Sequence, residues 1–336
     1  MQDITGERRG PVCLSLVVPL FNEEETVPYL RRRLTEVIVR IPAAVEIVLV
    51  NDGSRDGTGT ELLHWAAEDS RVRVVSLSRN FGHQAAATAG LDYAIGEAVV
   101  LMDGDLQDPP ELILEMISEY RRGFDVVYAQ RDRRLNENWF KRFTAWAFYR
   151  LMKFAIYRDL PPDTGDFRLI SRPCLDALRA MRETHRFLRG MVAWVGFPQT
   201  AVRFTRPPRV AGQTKYPVRK MMRFAWDAII SFSPLPLRLS FASALVVAAV
   251  GFGAGIYALS AKEFGFFVVP GWTSIMLTLC LIGSFILIGL GVVSEYLAKI
   301  YEEVKSRPLY IVDTCRSHGL DVVPNELRQM SGNKLG

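Results

Sequence analysis

The sequence contains little cysteine, and its cysteines lack the spacing of a metal site or a disulfide framework. Cys13, Cys174, Cys280 and Cys315 are scattered along the 336 residues. This pattern argues against a structural zinc site and is compatible with a reducing cytosol. The N-terminal segment 1–10 also lacks an apolar run, so we do not expect a signal peptide there.

Two glycine motifs that bind phosphates are also missing. No G-x-x-x-x-G-K-[ST] loop occurs, and no G-x-G-x-x-G follows the first predicted strand, which argues against a P-loop ATPase and a dinucleotide-dependent dehydrogenase. No segment resembles an RNA-binding aromatic motif or a helix-turn-helix, so nucleic acid is not an expected partner. The net charge of +5 is compatible with other anionic partners, such as acidic phospholipid or a phosphorylated substrate.

Charged residues are rare in two long apolar stretches near the C-terminus, 235–260 and about 268–297. Each exceeds the roughly 20 residues that a helix needs to cross a bilayer. Only Lys262 and Glu263 carry charge between the two stretches, whereas lysine and arginine are abundant before the first and after the second. This distribution predicts that the outer ends of both stretches lie in the cytoplasm. We therefore predict two transmembrane helices; the alternative is a buried core hairpin.

The first 130 residues alternate short apolar runs with helical patterns. Strands are predicted at 14–18, 45–50, 72–77, 98–102 and 125–128. Helices are predicted near 26–40, 58–68, 83–95 and 110–122. Continuous apolar strands that alternate with helices are typical of an α/β domain with a mostly parallel sheet buried on both faces.

Polar clusters begin where four of these apolar strands end. The clusters are 19–24, 51–54, 78–80 and 103–105. Ligands of open α/β sheets bind outside the carboxyl ends of the strands. The four clusters therefore predict one composite site along a single edge of the sheet.

Two carboxylates separated by one residue, Asp103 and Asp105, form the most specific of these clusters. Such a pair at the end of a buried strand can share a divalent cation that keeps open positions for substrate phosphates. Asp52, at the end of the second strand, is placed to accept hydrogen bonds from a base or a ribose. The residues after it, 53–58, can equally form only a tight turn and a helix cap.

Together the four clusters resemble the motifs of the family-2 glycosyltransferases, and more narrowly of the polyprenyl-phosphate glycosyltransferases. That group includes dolichyl-phosphate mannose synthase and the bacterial GtrB-like enzymes. The resemblance covers about residues 12–312 and rests on the motifs Pro19-x-Phe21-Asn22-Glu23-Glu24, Val50-Asn51-Asp52-Gly53-Ser54-x-Asp56-x-Thr58, Ser78-Arg79-Asn80-Phe81-Gly82-His83-Gln84 and Asp103-Gly104-Asp105-Leu106-Gln107-Asp108-Pro109-Pro110. The two-helix C-terminal anchor is similar to that of the GtrB-like branch.

The resemblance implies a GT-A fold, which is Rossmann-like with a mostly parallel sheet, and a role for each matching residue. The implied nucleotide-sugar-binding residues are Pro19, Asn22, Glu24, Asp52, Ser54, Asn80, Gln84 and Asp103. The implied ligands of Mg²⁺ or Mn²⁺ are Asp103, Asp105 and Gln107. The implied acceptor-phosphate-binding residues are Arg131, Arg168 and Lys215, and the implied catalytic residues are Asp105, Asp166, Arg131 and Arg168.

The implied roles of Asp166 and Arg168 have alternatives. Asp166 either orients the acceptor or takes its residual proton, and Asp166 with Arg168 can also be an ordinary ion pair at a turn. The acceptor phosphate is already largely ionised near neutral pH, so no strong base is required. His83 is interpreted as a residue that begins a helix rather than as a catalytic group.

The expected organisation has five parts. They are a polar tail at 1–11, the GT-A domain at 12–215, a juxtamembrane amphipathic helix at 216–234, two transmembrane helices at 235–297 and a cytoplasmic tail at 298–336. The resemblance implies a multi-pass protein of the bacterial cytoplasmic membrane, with its catalytic domain on the cytoplasmic side and a tetrameric assembly.

The implied activity is inverting transfer of a sugar, with UDP-glucose as the first candidate donor, to polyprenyl (undecaprenyl) phosphate. One alternative is a processive polysaccharide synthase, although its Gln-x-x-Arg-Trp motif is absent and only Arg189 and Trp194 lie near one another. The other is a non-catalytic membrane scaffold that binds lipid phosphate, against which the intact Asp103, Asp105 and Gln107 argue.

Overall fold

The computed structural model describes residues 14–131, 164–204, 235–263, 271–317 and 320–321. They form two compact units. The first takes its residues from 14–204 and again from 308–321, and the second consists of two long helices. The chain therefore leaves the first unit, makes the helices and returns to the first unit.

A mixed β-sheet forms the centre of the first unit. Its described strands are β1 (Leu14–Leu20), β2 (Val45–Asn51), β3 (Val72–Leu77), β4 (Ala98–Leu101), β5 (Val126–Arg131), β6 (Thr164–Ser171), β7 (Gln199–Phe204), β8 (Val312–Ser317) and β9 (Leu320–Asp321). They lie in the order β7-β5-β6-β4-β1-β2-β3-β8-β9. The central strands β4, β1, β2 and β3 are parallel, whereas β6 and β8 are antiparallel to their neighbours.

Helices cover both faces of this sheet. They are α1 (Val27–Ile38), α2 (Thr58–Glu68), α3 (His83–Tyr93), α4 (Leu112–Arg121), α5 (Arg172–Ala180) and α6 (Leu188–Val195). Successive side chains of β1 point to opposite faces, so Leu16 and Val18 join the core under α1, α2 and α4, while Val17 joins the core under α3, α5 and α6. The predicted mostly parallel α/β sheet with its strands and helices in the first 130 residues is confirmed.

The segment after the long helices differs from the tail that we expected at 298–336. Strand β8 pairs antiparallel with β3 and buries Cys315 at the edge of the sheet. Just before β8, the Tyr310 hydroxyl donates to Asp92 Oδ2 at 2.7 Å, and Arg182 contacts the same oxygen at 2.6 Å. A short strand of mostly polar residues after two long hydrophobic helices is hard to distinguish from a tail, because its pairing partner lies more than 200 residues earlier.

Replacing Tyr310 with phenylalanine is expected to lower the free energy of unfolding by about 1–2 kcal/mol, because Asp92 loses a hydrogen-bond donor. Burial raises the pKa of Tyr310, so this contribution is present below about pH 10 and is lost as the pH rises through the folded-state value. Thermal unfolding of the purified full chain measures the effect. Tyr29→Phe, on an exposed position of α1, is the control, and an equal loss in both variants would contradict the prediction.

The second unit contains α7 (Leu235–Glu263) and α8 (Trp272–Val304). Within the described residues, Leu281–Val304 is the helical segment that is long and apolar enough to cross a membrane, judged by length and composition. The apolar part of α7, Leu239–Gly253, is shorter. Of the two predicted transmembrane helices, the second therefore contains a segment of sufficient length and apolar composition. The expected tail at 1–11, the juxtamembrane helix at 216–234 and the loop between α7 and α8 lie outside the described residues.

Candidate active site

The loops that follow β1 and β2 are joined by hydrogen bonds between side chains and backbone. The amide of Asn22 donates to Ser54 Oγ at 3.0 Å, and the Asn22 side-chain oxygen accepts from the amide of Arg55 at 3.0 Å. Glu24 Oε2 accepts from the amide of Gly57 at 2.8 Å. Three of the predicted nucleotide-sugar residues, Asn22, Glu24 and Ser54, therefore lie together at the carboxyl edge of the sheet and build one wall.

Asp52 connects the second loop to the third. Its carboxylate accepts from the amide of Phe81 at 2.8 Å and from the amide of Gly82 at 3.0 Å, and its side chain is buried. Burial raises the pKa of Asp52, although both hydrogen bonds oppose the shift. A carboxylate offers about four lone pairs, so these two bonds order the loop after β3 and leave acceptor capacity.

Gly53 follows Asp52 at a point where the backbones of two loops touch. Its φ is +64°, and a Cβ built there would lie 2.3 Å from the carbonyl carbon of Arg79. Both the left-handed conformation and the close approach require glycine.

Gly53→Ala is expected to destabilise the fold by about 2–4 kcal/mol, because the methyl group meets backbone that cannot move aside cheaply. Gly196→Ala is the matched control, since Gly196 has φ +78° but a Cβ there would make only an ordinary contact, 3.9 Å from the carbonyl oxygen of Trp194. Thermal or chemical unfolding of both variants separates the conformational cost from the clash. Equal losses would show that the contact with Arg79 adds nothing.

Asp103 follows β4 and lies at the centre of the site. Its side chain is 30% exposed, yet Oδ1 is buried without a hydrogen-bond partner among the described residues, with His83 Nε2 3.3 Å away. Burial raises the pKa of Asp103 to about 6; His83 opposes the shift, and the charges of Asp166, Asp108 and Asp105 add to it. Burial and the neighbouring carboxylates therefore make the charged form of Asp103 unfavourable.

The remainder of this loop is held in an unusual conformation. Leu106 is buried and has a φ of +55°, which is rare for a bulky side chain and costs conformational energy. Asp105 accepts from the amide of Gln107 at 3.1 Å, and Gln107 is buried. The loop thus places the predicted ligands Asp105 and Gln107 directly after Asp103 in a tight, strained turn.

Asp166 lies on β6 and is 4% exposed. Its Oδ2 lies 3.2 Å from His83 Nε2 and accepts from the Gln84 side-chain amide at 3.2 Å, while Oδ1 accepts from Arg189 Nε at 2.7 Å. Burial alone would raise the pKa of Asp166, but the hydrogen bond with His83 and the charges of Arg189 and Arg168 hold it well below its usual range. The charged form of Asp166 is therefore favoured, and it holds three neighbouring side chains.

His83, at the start of α3, lies between the two carboxylates Asp103 and Asp166. Burial lowers the pKa of His83, but the hydrogen bond with Asp166 and the charge of Asp103 outweigh that effect, so the net shift is upward. The expectation that this residue only begins a helix is incomplete, because its ring also joins β4 to β6.

Arg168 is buried behind Asp166. Its side chain is 4% exposed, and its guanidinium donates to the carbonyl oxygens of Gly165 at 2.9 Å and Asp166 at 3.3 Å. Burial lowers the pKa of Arg168 to about 10, against the attraction of Asp166. The guanidinium supports the backbone of β6 from inside the protein.

The remaining predicted residues lie at the same edge or outside the described part. Pro19 is buried near the end of β1, and Asn80 is exposed after β3. Arg131 ends β5, but its side chain is outside the described part of the structure, as is Lys215. Arg189 was missed as a site residue, because 23 residues separate it from Asp166 and no local motif marks it.

The site fits a divalent cation. Ligand atoms of His83, Asp103 and Asp166 all lie within 4.8 Å of one another, and Asp103 Oδ1 is a buried oxygen without a hydrogen bond. Carboxylate oxygens are the ligands that Mg²⁺ and Mn²⁺ prefer. This cluster shares Asp103 with the expected set of Asp103, Asp105 and Gln107, so Asp103 is the common element of both.

Comparisons with known proteins place this geometry in a family. Residues 15–179 match the model described as glycosyl transferase family 2. The glycosyltransferase YkcC of Bacillus subtilis is 45% identical over 91% of this chain and 94% of its own length. A bactoprenol glucosyl transferase of Shigella flexneri, derived from prophage SfII, is 39% identical over 89% of this chain and 97% of its own.

Among solved structures, the chain is similar to glucosyl-3-phosphoglycerate synthase from Mycobacterium tuberculosis in complex with Mn²⁺ and UDP. The identity is 16%, the TM-score is 0.47, and the match covers 65% of this chain and 76% of that one. The resemblance inferred from the motifs is confirmed by the family model and the sequence relatives. The chain belongs to glycosyltransferase family 2 and has the GT-A fold of that family.

Proposed function

We propose that this glycosyltransferase moves a sugar from a nucleotide-sugar to polyprenyl phosphate, with inversion at the anomeric carbon. UDP-glucose is the proposed donor and undecaprenyl phosphate the proposed acceptor. The observation that carries the proposal is the convergence of His83, Asp103 and Asp166 within 4.8 Å at the carboxyl edge of the sheet. The bactoprenol glucosyl transferases, 38–39% identical over most of this chain, support the class of acceptor.

The donor half of the site is proposed to lie along the loops after β1, β2 and β3. Pro19, Asn22, Glu24, Asp52, Ser54, Asn80 and Gln84 remain the proposed nucleotide-sugar residues, together with Asp103. Hydrogen bonds between Asn22, Ser54 and Glu24 and the neighbouring loop support this reading, because they make the wall rigid before a ligand arrives.

The leaving diphosphate develops negative charge beside Asp103. Asp103, Asp105 and Gln107 would hold Mg²⁺ or Mn²⁺, which supplies Lewis-acid stabilisation of that charge when it is bound. Asp103 Oδ1 makes no hydrogen bond, and burial raises the pKa of this carboxyl; both support the role, since a bound cation would stabilise the charged carboxylate.

The acceptor needs orientation more than deprotonation. A phosphate monoester is largely ionised near neutral pH. Asp166 already accepts from three side chains, and its pKa lies well below the usual range, so it does not take a proton from the acceptor. Its proposed role is to hold the neighbouring cationic groups in place. Arg131, Arg168 and Lys215 are the basic residues first proposed for the acceptor phosphate, and buried Arg168 acts through Asp166.

The helices α7 and α8 are proposed to anchor the enzyme as a hairpin in the bacterial cytoplasmic membrane, with the catalytic unit on the cytoplasmic side. Large apolar side chains along both helices are exposed, including Phe241, Phe252 and Leu287, which supports contact with lipid or with other copies. Assembly as a homo-oligomer, a tetramer by family resemblance, is part of this proposal.

A radiolabelled transfer assay tests the function. Membranes containing the protein are mixed with undecaprenyl phosphate and Mg²⁺ or Mn²⁺, in separate reactions with UDP-glucose, UDP-GlcNAc and GDP-mannose. Label is expected in a lipid that is extracted by organic solvent and released by mild acid. EDTA is expected to abolish the transfer, and added Mn²⁺ to restore it.

Two results would overturn the proposal. Labelled polymer in place of a lipid monosaccharide would identify a processive synthase. No lipid product from any donor, with nucleotide-sugar binding intact, would favour a non-catalytic scaffold that binds lipid phosphate.

A further inference from the structure

A lipid phosphate that attacks the donor must enter a site already occupied by a diphosphate. Two anions can approach only if cationic groups lie between or beside them. Around Asp166, the basic side chains in the described part of the chain are His83, Arg168 and Arg189. They differ in how far each one is available to a ligand.

Arg168 is badly placed for direct contact. Only 4% of its side chain is exposed, and its guanidinium donates hydrogen bonds to the carbonyl oxygens of Gly165 and Asp166. Turning it toward a phosphate would leave those buried acceptors without donors, which is costly.

Arg189 is placed differently. It lies in the first turn of α6, 38% of its side chain is exposed, and its Nε donates to Asp166 Oδ1 at 2.7 Å. The other oxygen of Asp166 faces His83, which lies 3.3 Å from Asp103. The four side chains thus form a row of alternating basic and acidic groups that runs from the partly exposed Arg189 to the Asp103 loop.

We infer that Arg189 is the arginine that contacts the acceptor phosphate, held in orientation by Asp166, whereas Arg168 only supports Asp166 from behind. The inference rests on the proposed function. A guanidinium is flat, so fixing it through Nε fixes the plane in which it can meet a phosphate with paired donors. Asp166 therefore determines where the acceptor lies.

Steady-state kinetics of the purified full chain test this assignment. Undecaprenyl phosphate is varied at saturating UDP-glucose, and UDP-glucose is varied at saturating lipid. Arg189→Gln is expected to raise the KM for undecaprenyl phosphate by about tenfold to a hundredfold and to leave the KM for UDP-glucose within about threefold. Arg189→Lys keeps the charge but loses the paired donors, so it is expected to recover part of the loss.

Two further variants separate binding from structural support. Arg182→Gln is the matched control, because Arg182 is also a partly exposed arginine bonded to a buried carboxylate, Asp92, at the other end of α3. It is expected to leave both KM values unchanged. Arg168→Lys is expected to lower the thermal midpoint and kcat without a selective change in the KM for the lipid.

The inference is overturned if Arg189→Gln changes both KM values alike, or if Arg168→Lys raises the lipid KM more than Arg189→Gln does. Failure of the proposed function looks different, because the unmodified protein would then form no glycolipid in the same assay. An active unmodified enzyme whose lipid KM is unaffected by Arg189→Gln would refute only the assignment of Arg189.

Discussion

Replacing Asp103 with asparagine is expected to lower kcat/KM by about a thousandfold and to make the metal-free protein more stable. The loss of activity follows because Asp103 belongs both to the set of metal ligands expected from the sequence and to the observed cluster with His83 and Asp166. The gain in stability follows because the replacement removes a carboxylate whose charged form is disfavoured by burial and by the charges of Asp166, Asp108 and Asp105. Opposite effects on activity and stability are typical of a site whose electrostatics are arranged for a ligand.

The size of the stability gain depends on pH. The pKa of Asp103 is raised to about 6 from an ordinary value near 3.8, so its charged form costs roughly 3 kcal/mol at most. This cost is absent below about pH 4 and is fully present above about pH 6. In EDTA, the thermal midpoint of Asp103→Asn should therefore exceed that of the unmodified protein at pH 8 but not at pH 4.

Mn²⁺ provides the complementary measurement for Asp103. Adding it should raise the thermal midpoint of the unmodified protein and leave that of Asp103→Asn unchanged, since a ligand that binds only the folded state stabilises it. Asp69→Asn is the control, because Asp69 is paired with Arg71 and its replacement should lower the midpoint while sparing transfer. An undiminished Mn²⁺ response in Asp103→Asn would exclude Asp103 as a metal ligand.

Replacing Asp166 with asparagine is expected to lower both activity and stability. Transfer should fall by about a hundredfold to a thousandfold, because Arg189 and His83 lose the group that orients them. The free energy of unfolding should fall by about 2–4 kcal/mol, since the buried Arg168 and the neighbouring Arg189 then repel each other without an intervening charge. Asp166→Asn is thus expected to lower the stability of the protein, whereas Asp103→Asn is expected to raise it.

Asp92→Asn is the matched control for Asp166→Asn. Asp92 is also a buried carboxylate that contacts arginines, but it lies at the end of α3 remote from His83. Its replacement is expected to cost stability and to spare the specific activity of the folded fraction. Parallel transfer assays and thermal unfolding measure both effects. Full activity in Asp166→Asn would show that Asp166 does not position the reacting groups.

The central part of the fold could be predicted from local patterns. Strands β1 to β4 are mostly apolar runs, and each is followed by a polar cluster that lies where the sequence predicts it. Burial on both faces of the sheet leaves a strong signal in the sequence, because most residues of such a strand must be apolar. The family resemblance then followed from the same polar clusters and is confirmed.

Contacts between distant segments could not be predicted in this way. Strand β6 enters the sheet between β4 and β5, and its antiparallel direction depends on the path of the chain rather than on the residues of the strand. The contact of His83 with Asp166 joins residues 83 positions apart, and that of Arg189 with Asp166 joins residues in different elements. The sequence therefore predicted the loops of the donor side better than the cationic groups beside Asp166.

Because β8 follows both long helices in the sequence, the sheet of the first unit cannot be completed until the helices have been synthesised. The outer edge of β3 is covered by residues that the ribosome adds only after both long helices have been made. Until then the nascent catalytic sheet has an open edge, and such edges pair readily with other chains. Synthesis of both long helices thus precedes closure of the sheet. A chain cut before Pro308 to obtain a soluble enzyme should keep the loops of the site but aggregate through the uncovered β3.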